Sequence, residues 1–263
     1  MSSLSRALAP RSLGGGRYAV DLDEAWAFRG HPHGGFLAAL LTQAAVTEVG
    51  GAPLVANTSY LAAPQTGTAV VTVRSAKAAG RIRHADVQLE QDGVIACQAG
   101  IVLGTEPPGA EEWSLEGMPL PAPYELCSKV PADSGLGTVL AVRYSPGLVP
   151  RRGEVKAGGA QIHGWVESRD SESHPLLPLI ACDALASTVS GLGRTGWAPT
   201  LTLNVQLRRP WDCAGPLSVS SRSRLVTSTY FDETTTVRDS AGHVLVHAQQ
   251  LALLPRPPHP PGA

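Results

Sequence analysis

One pattern occurs twice in this chain: a run of helix formers, apolar on nearly every side, followed by short β-branched segments set apart by turn residues. In the first copy a Gly-rich turn opens a helix within Trp26 to Gly50, and Gly50-Gly51 ends it. Strands are expected at Val55 to Ala63, Thr68 to Ala76, Ile82 to Gln91 and Val94 to Leu103, with Asp92-Gly93 as the clearest hairpin turn. The second copy opens on extended segments, Thr138 to Tyr144 and Ala160 to Ser168. HPLLPLIACDALASTVSGLG then reads as a second helix, and strands follow near Thr200 to Leu207, Leu217 to Leu225, Tyr230 to Arg238 and Val244 to Leu254. Landmarks fix the correspondence: YLAAP ending at Pro64 answers QLRRP ending at Pro210, and DGVIACQAGIVL from Asp92 answers AGHVLVHAQQLALL from Ala241.

A helix that is apolar all round would be costly in water, so each must be wrapped. Helix then antiparallel strands, without βαβ alternation, argues against a parallel sheet. The expectation is an α+β double hotdog: two long central helices, each wrapped by a curved antiparallel sheet, with the two sheets joined into one. The domains expected are an N-terminal hotdog over 1–105, a linker over 106–137 rich in Pro, Gly and acidic residues, a C-terminal hotdog over 138–256, and a flexible Pro-rich tail over 257–263.

Composition narrows the function. A net charge of -1 offers no basic field for a phosphate backbone, and 5% aromatic residues are too few for a row of base-stacking platforms, so nucleic acid is not an expected partner. Cys97, Cys127, Cys182 and Cys213 lie far apart and form no CxxC pair, which suggests neither a zinc site nor a disulfide framework and fits a reducing cytoplasm. No run of about 18 uninterrupted apolar residues marks a membrane span, and residues 1–10 lack the apolar core of a leader.

Two polar residues stand where apolar ones are expected, and a threonine is singled out beside them. Asp183 shares a helical face with Leu176, Leu179 and Ile180; a carboxylate kept in such a stripe needs hydrogen bonds or a raised pKa, and either suits a group that orients or deprotonates water. Gln250 interrupts the apolar row Val244, Val246, Ala248, Ala252 and Leu254 of the last strand, so its amide requires partners. Thr200 begins a strictly alternating strand, on one row with Thr202, Asn204 and Gln206. Each also has a plain structural reading: a capped Asp at a kink, a Gln bonding backbone at a sheet edge, a Thr in a strand.

Taken together, a helix Asp, a Thr ten residues before Pro210 and a Gln eight residues after Gly242 resemble the spacing of the type II acyl-CoA thioesterases, a double-hotdog family. RGHPHGGFLAALLTQAA, with His33-Gly34-Gly35 opening the helix, is similar to the first-half signature of the wider thioesterase-like hotdog superfamily. The resemblance implies a hydrolase of lipid metabolism acting on an acyl-CoA, with coenzyme A present only as part of the substrate and an acyl carrier protein as the alternative carrier. Asp183, Thr200 and Gln250 would bind a water, Asp183 acting as its general base. His33, Gly34 and Gly35 would contact substrate, with the amide of Gly34 or Gly35 polarising the oxyanion. The first half departs from the pattern, with Ile101 in the place of Gln250 and no acid between Glu24 and Glu48, so one site per chain is implied. The segment around Tyr230-Phe231-Asp232 also departs from it.

Other motifs carry less. Gly191 to Gly196 fits GxGxxG but ends a helix and leads into a strand, the reverse of a dinucleotide site, and reads as a helix C-cap and loop. No GxSxG elbow is present, and His31 and His33 lack further ligands for a metal. DSESHP at 170–175, with His174 as a base, keeps a hotdog hydratase or dehydratase as the alternative enzyme, and a catalytically silent acyl-binding protein is the non-enzyme reading. Exposed sheet edges leave room for a homo-oligomer.

Overall fold

A computed structural model describes residues 4–28, 30–105, 119–131, 135–171, 173–209 and 215–255. In chain order the helices are α1 (Leu4–Ala7), α2 (Gly34–Val49), α3 (Leu136–Val139) and α4 (Leu177–Ala181). The first-half strands are β1 (Arg11–Gly14), β2 (Arg17–Leu22), β3 (Ala27–Phe28), β4 (His31–Pro32), β5 (Ala52–Tyr60), β6 (Gly67–Ala79), β7 (Ile82–Gln91) and β8 (Val94–Gly104). Those that follow are β9 (Ser128–Lys129), β10 (Leu140–Tyr144), β11 (Gln161–Ser168), β12 (Thr200–Leu207), β13 (Leu217–Arg222), β14 (Tyr230–Arg238) and β15 (Val244–Leu253).

All but β3 and β4 join one antiparallel sheet, ordered β1-β2-β6-β7-β8-β5-β12-β15-β14-β13-β11-β10-β9. The order reads outward alike from the β5–β12 seam, where Asn57 faces Asn204 and the two side chains hydrogen-bond. That face-to-face pair marks a local two-fold axis relating Ala56 to Leu203. Their partners on the next strands, Ile101 and Gln250, are therefore equivalent positions. This is the double hotdog, with α2 wrapped by β5 to β8 as its apolar circumference requires: Phe36 through Leu41 are all buried. His33 caps the start of α2, its Nδ1 accepting from the Phe36 N–H, and Gly50, at a φ of 73°, ends it.

The second central helix departs from expectation. Instead of one helix through Gly191, α4 covers only Leu177–Ala181, and a short 3-10 turn follows at Thr188–Gly191. Backbone accounting supplies the reason. His33 Nε2 donates to the Asp183 carbonyl, the Ala186 N–H goes to the Tyr144 hydroxyl, and the Thr188 N–H goes to a Glu233 carboxylate oxygen. Tertiary partners thus take the groups that a continuing helix would have paired with itself.

Within 106–137, residues 119–131 and 135–137 are described, and they pack rather than hang free. The strand β9 pairs with β10, the Tyr124 ring lies edge-on to Trp165 with the Arg143 guanidinium over it, and α3 begins at Leu136. The extended segment expected from Thr138 accordingly starts as helix and becomes strand at Leu140. Cys97, Cys127 and Cys182 are free and buried; Cys213 and the tail 257–263 lie outside the described residues. Among the described residues no helix is long and apolar enough to cross a membrane.

Candidate active site

Asp183 follows the Cys182 cap that ends α4, where it meets the start of α2 from the other half. Its Oδ2 accepts the Gly35 N–H at 2.8 Å, and His33 Nε2 donates to its carbonyl at 2.8 Å while lying 3.4 Å from Oδ2. Because His33 Nδ1 accepts from Phe36, the ring hydrogen resides on Nε2, facing Asp183. A helix start favours negative charge through its unpaired N–H groups, so the cradle holds a carboxylate well. Both glycines are required for the approach: a Cβ on Gly34 would sit 2.9 Å from Asp183 Oδ2, and one on Gly35 would sit 3.0 Å from the Ile180 carbonyl oxygen. The Gly35 amide is therefore committed to Asp183 and is not a free oxyanion donor. The Gly34 N–H, first in α2, has no acceptor within the helix.

Thr200 reaches the same site through an irregularity. Strict alternation would place it with Thr202, on the row opposite Leu203, and Leu203 is the residue that faces Gln250. A β-bulge between Thr200 and Thr202 shifts the register, so that Thr200 faces Ala252, on Gln250's own row. Its hydroxyl then donates to Gln250 Oε1 at 3.4 Å. Gln250 Nε2 is left for another acceptor.

Asp183, Thr200 and Gln250 line one cavity of about 560 Å³ together with His33 and Gly34. Its wall is largely aliphatic, from Leu37, Leu136, Leu185 and Leu201, and Phe28 and Trp197 stand half-exposed on it, the Trp197 ring stacked on His31. Gly35 is not on this wall; it acts from behind, through its amide.

Two tyrosines line the cavity. Tyr60 donates to the Gly34 carbonyl at 2.7 Å, and burial, with the Asp183 charge nearby, holds its pKa well above the usual phenol value. Tyr144 is pushed up to about 12 by burial, so it remains a hydroxyl. The thiol of Cys182, beside Asp183, is likewise pushed up by burial and donates to the Leu179 carbonyl, which makes it inert as a nucleophile.

Sequence reasoning missed Glu233. It lines the cavity, is 5% exposed, and stands directly opposite Gln250 in the β14–β15 register. Burial raises its pKa to about 7, against the two Thr188 hydrogen bonds that favour the charged form. A signal was available, since the row Phe231, Glu233, Thr235, Val237 interrupts apolar residues as Gln250 does. His174, the base of the hydratase alternative, does not line the cavity; its Nδ1 accepts the Leu176 N–H beside the start of α4. The GxGxxG stretch forms the end of the 3-10 turn and a loop into β12, with Thr195 and Gly196 on the cavity wall.

The chain is similar to known proteins along most of its length. The uncharacterised protein Rv0499 of Mycobacterium tuberculosis is 32% identical over 266 residues, covering 89% of this chain and 90% of that one. A provisionally assigned thioesterase II from Thermobifida fusca has a TM-score of 0.87 at 26% identity, covering 97% of this chain and 98% of that one. The acyl-CoA thioesterase II TesB2 of Mycobacterium marinum has a TM-score of 0.73 at 17% identity, covering 97% and 99%, a likeness of fold. Residues 22–104 match the model of the acyl-CoA thioesterase N-terminal domain and residues 114–254 that of the C-terminal domain. On these matches, which take in both halves and the cavity between them, the chain belongs to the acyl-CoA thioesterase family.

Proposed function

We propose that this hydrolase cleaves an acyl thioester with a water held by Asp183, Thr200 and Gln250. The observation that carries the reading is the division of labour within Asp183: Oδ2 is anchored by the Gly35 N–H, and the remaining oxygen, on a residue that lines the cavity, is available as a base. Gln250, whose Oε1 is engaged by Thr200, offers its N–H hydrogens to the water oxygen. Asp183 takes a proton as the water attacks the thioester carbon, and the Gly34 N–H stabilises the oxygen that becomes negative. Collapse of the tetrahedral adduct releases the thiolate, which takes a proton, and the free acid. No side chain becomes acylated in this scheme.

The aliphatic wall takes the acyl chain, and the carrier thiol, coenzyme A or a carrier protein's pantetheine, leaves through the mouth beside Phe28 and Trp197. Three free, buried cysteines fit work in a reducing cytoplasm. Thiol release from a panel of acyl-CoAs tests the assignment. Asp183→Asn should lower kcat by about a hundredfold or more with the fold intact by circular dichroism. Unchanged hydrolysis by that variant would remove Asp183 from the mechanism.

A further inference from the structure

The cavity contains a second carboxylate that the hydrolytic scheme does not use. Glu233 Oε2 accepts both hydrogens that Thr188 offers, the backbone N–H and the hydroxyl, each at 2.9 Å. The side chain is thereby fixed on the wall of the cavity, and no hydrogen bond among the described residues reaches Oε1. No Lys or Arg stands among the described residues of that lining. An acid buried in a mostly apolar chamber with one oxygen uncompensated is costly, and a ligand that hydrogen-bonds that oxygen recovers the loss.

Position says where on the ligand the bonding group must be. Glu233 faces Gln250 across adjacent antiparallel strands, a separation of about 5 Å between backbones. Gln250 belongs to the group that holds the attacking water, so Glu233 meets the acyl chain a few bonds beyond the thioester carbon, not at its far end. The bonding group must also suit an acid that changes protonation near neutrality: a hydroxyl can donate to the carboxylate and accept from the carboxylic acid.

Resting on the hydrolase reading, we infer that Glu233 is a specificity-determining residue that selects acyl thioesters bearing a hydroxyl near the thioester end of the chain. A site built to bond such a group discriminates against the chain that lacks it, because the buried acid then stays unpartnered. The competing role is purely structural, Glu233 serving only to hold the 3-10 turn through Thr188.

The test is the ratio of kcat/KM for a 3-hydroxyacyl-CoA to that for the unsubstituted acyl-CoA of equal length. Wild type should favour the hydroxylated chain about tenfold or more. Glu233→Met should bring the ratio close to one, and Glu233→Gln, whose amide oxygen can still accept from Thr188, should give an intermediate ratio. Should the Met variant not fold, the Gln variant decides. A wild-type ratio near one, or a ratio that neither variant alters, overturns the inference and leaves Glu233 its structural role. If wild type hydrolyses neither thioester, the hydrolase reading fails; selectivity is then read from thermal stabilisation by the same two compounds. A larger shift with the hydroxylated one, reduced in Glu233→Gln, upholds the inference, and equal shifts overturn it.

Discussion

Two adjacent glycines set the geometry of the Asp183 carboxylate, and each does so by lacking a carbon. At Gly34 the space a Cβ would need is 2.9 Å from Asp183 Oδ2, and at Gly35 it is 3.1 Å from Asp183 Cβ. The loss of helix propensity that a glycine brings is about 1 kcal/mol, tolerated here because it permits one helix start to hold the acid that ends another. Gly34→Ala separates the two effects. Helix propensity rises while the new methyl pushes the carboxylate off its position, so kcat should fall about tenfold or more with a melting temperature near that of wild type. A variant of full activity would mean that Asp183 can relocate freely and that its placement is not what the glycine protects.

At the level of elements, legibility followed regularity. The spans Ile82 to Gln91, Thr200 to Leu207 and Tyr230 to Arg238 are strands from end to end because alternation and turn residues are local signals. The early end of α4 was not legible: the groups that stop it, His33, Tyr144 and Glu233, lie far away in sequence and meet it only after folding. Thr200 was recognised by spacing, yet its strand pattern put it on the wrong row. A single bulge, invisible in an alternating sequence, turns it toward Gln250. Glu233 is the other half of the same lesson, a polar residue on an inward row that escaped notice because three threonines follow it. Its burial makes a prediction about stability. The folded pKa is raised to about 7 from the ordinary 4.5, so the folded state binds this proton more tightly than the unfolded chain does. The stabilisation is fully present below about pH 4.5 and is lost as pH rises through about 7, a change of about 3 kcal/mol. Glu233→Gln has nothing to titrate there. Urea midpoints measured from pH 4.5 to 8 should therefore show wild type falling behind the variant as pH rises, whereas parallel curves would mean that Glu233 is ionised throughout.

Over the whole molecule, the repeat that made the fold readable carries the proposed set of site residues only once. The seam equates Ile101 with Gln250, so the first-half sheet offers a hydrocarbon where the second offers an amide. The helices diverged in the complementary sense: α2 remained a continuous buried rod whose start supplies donors, and α4 was cut short to present a carboxylate to them. The proposed site is thus shared between halves, with His33, Gly34 and Gly35 from one and Asp183, Thr200 and Gln250 from the other. This asymmetry predicts stoichiometry. Asp183→Asn protein titrated with an acyl-CoA in a calorimeter should saturate at one ligand per chain, since the pseudo-equivalent position lacks the polar groups proposed to seat the thioester. Two equal sites per chain would show that binding follows the repeated fold rather than the unrepeated residues, and the division of roles between α2 and α4 would have to be abandoned.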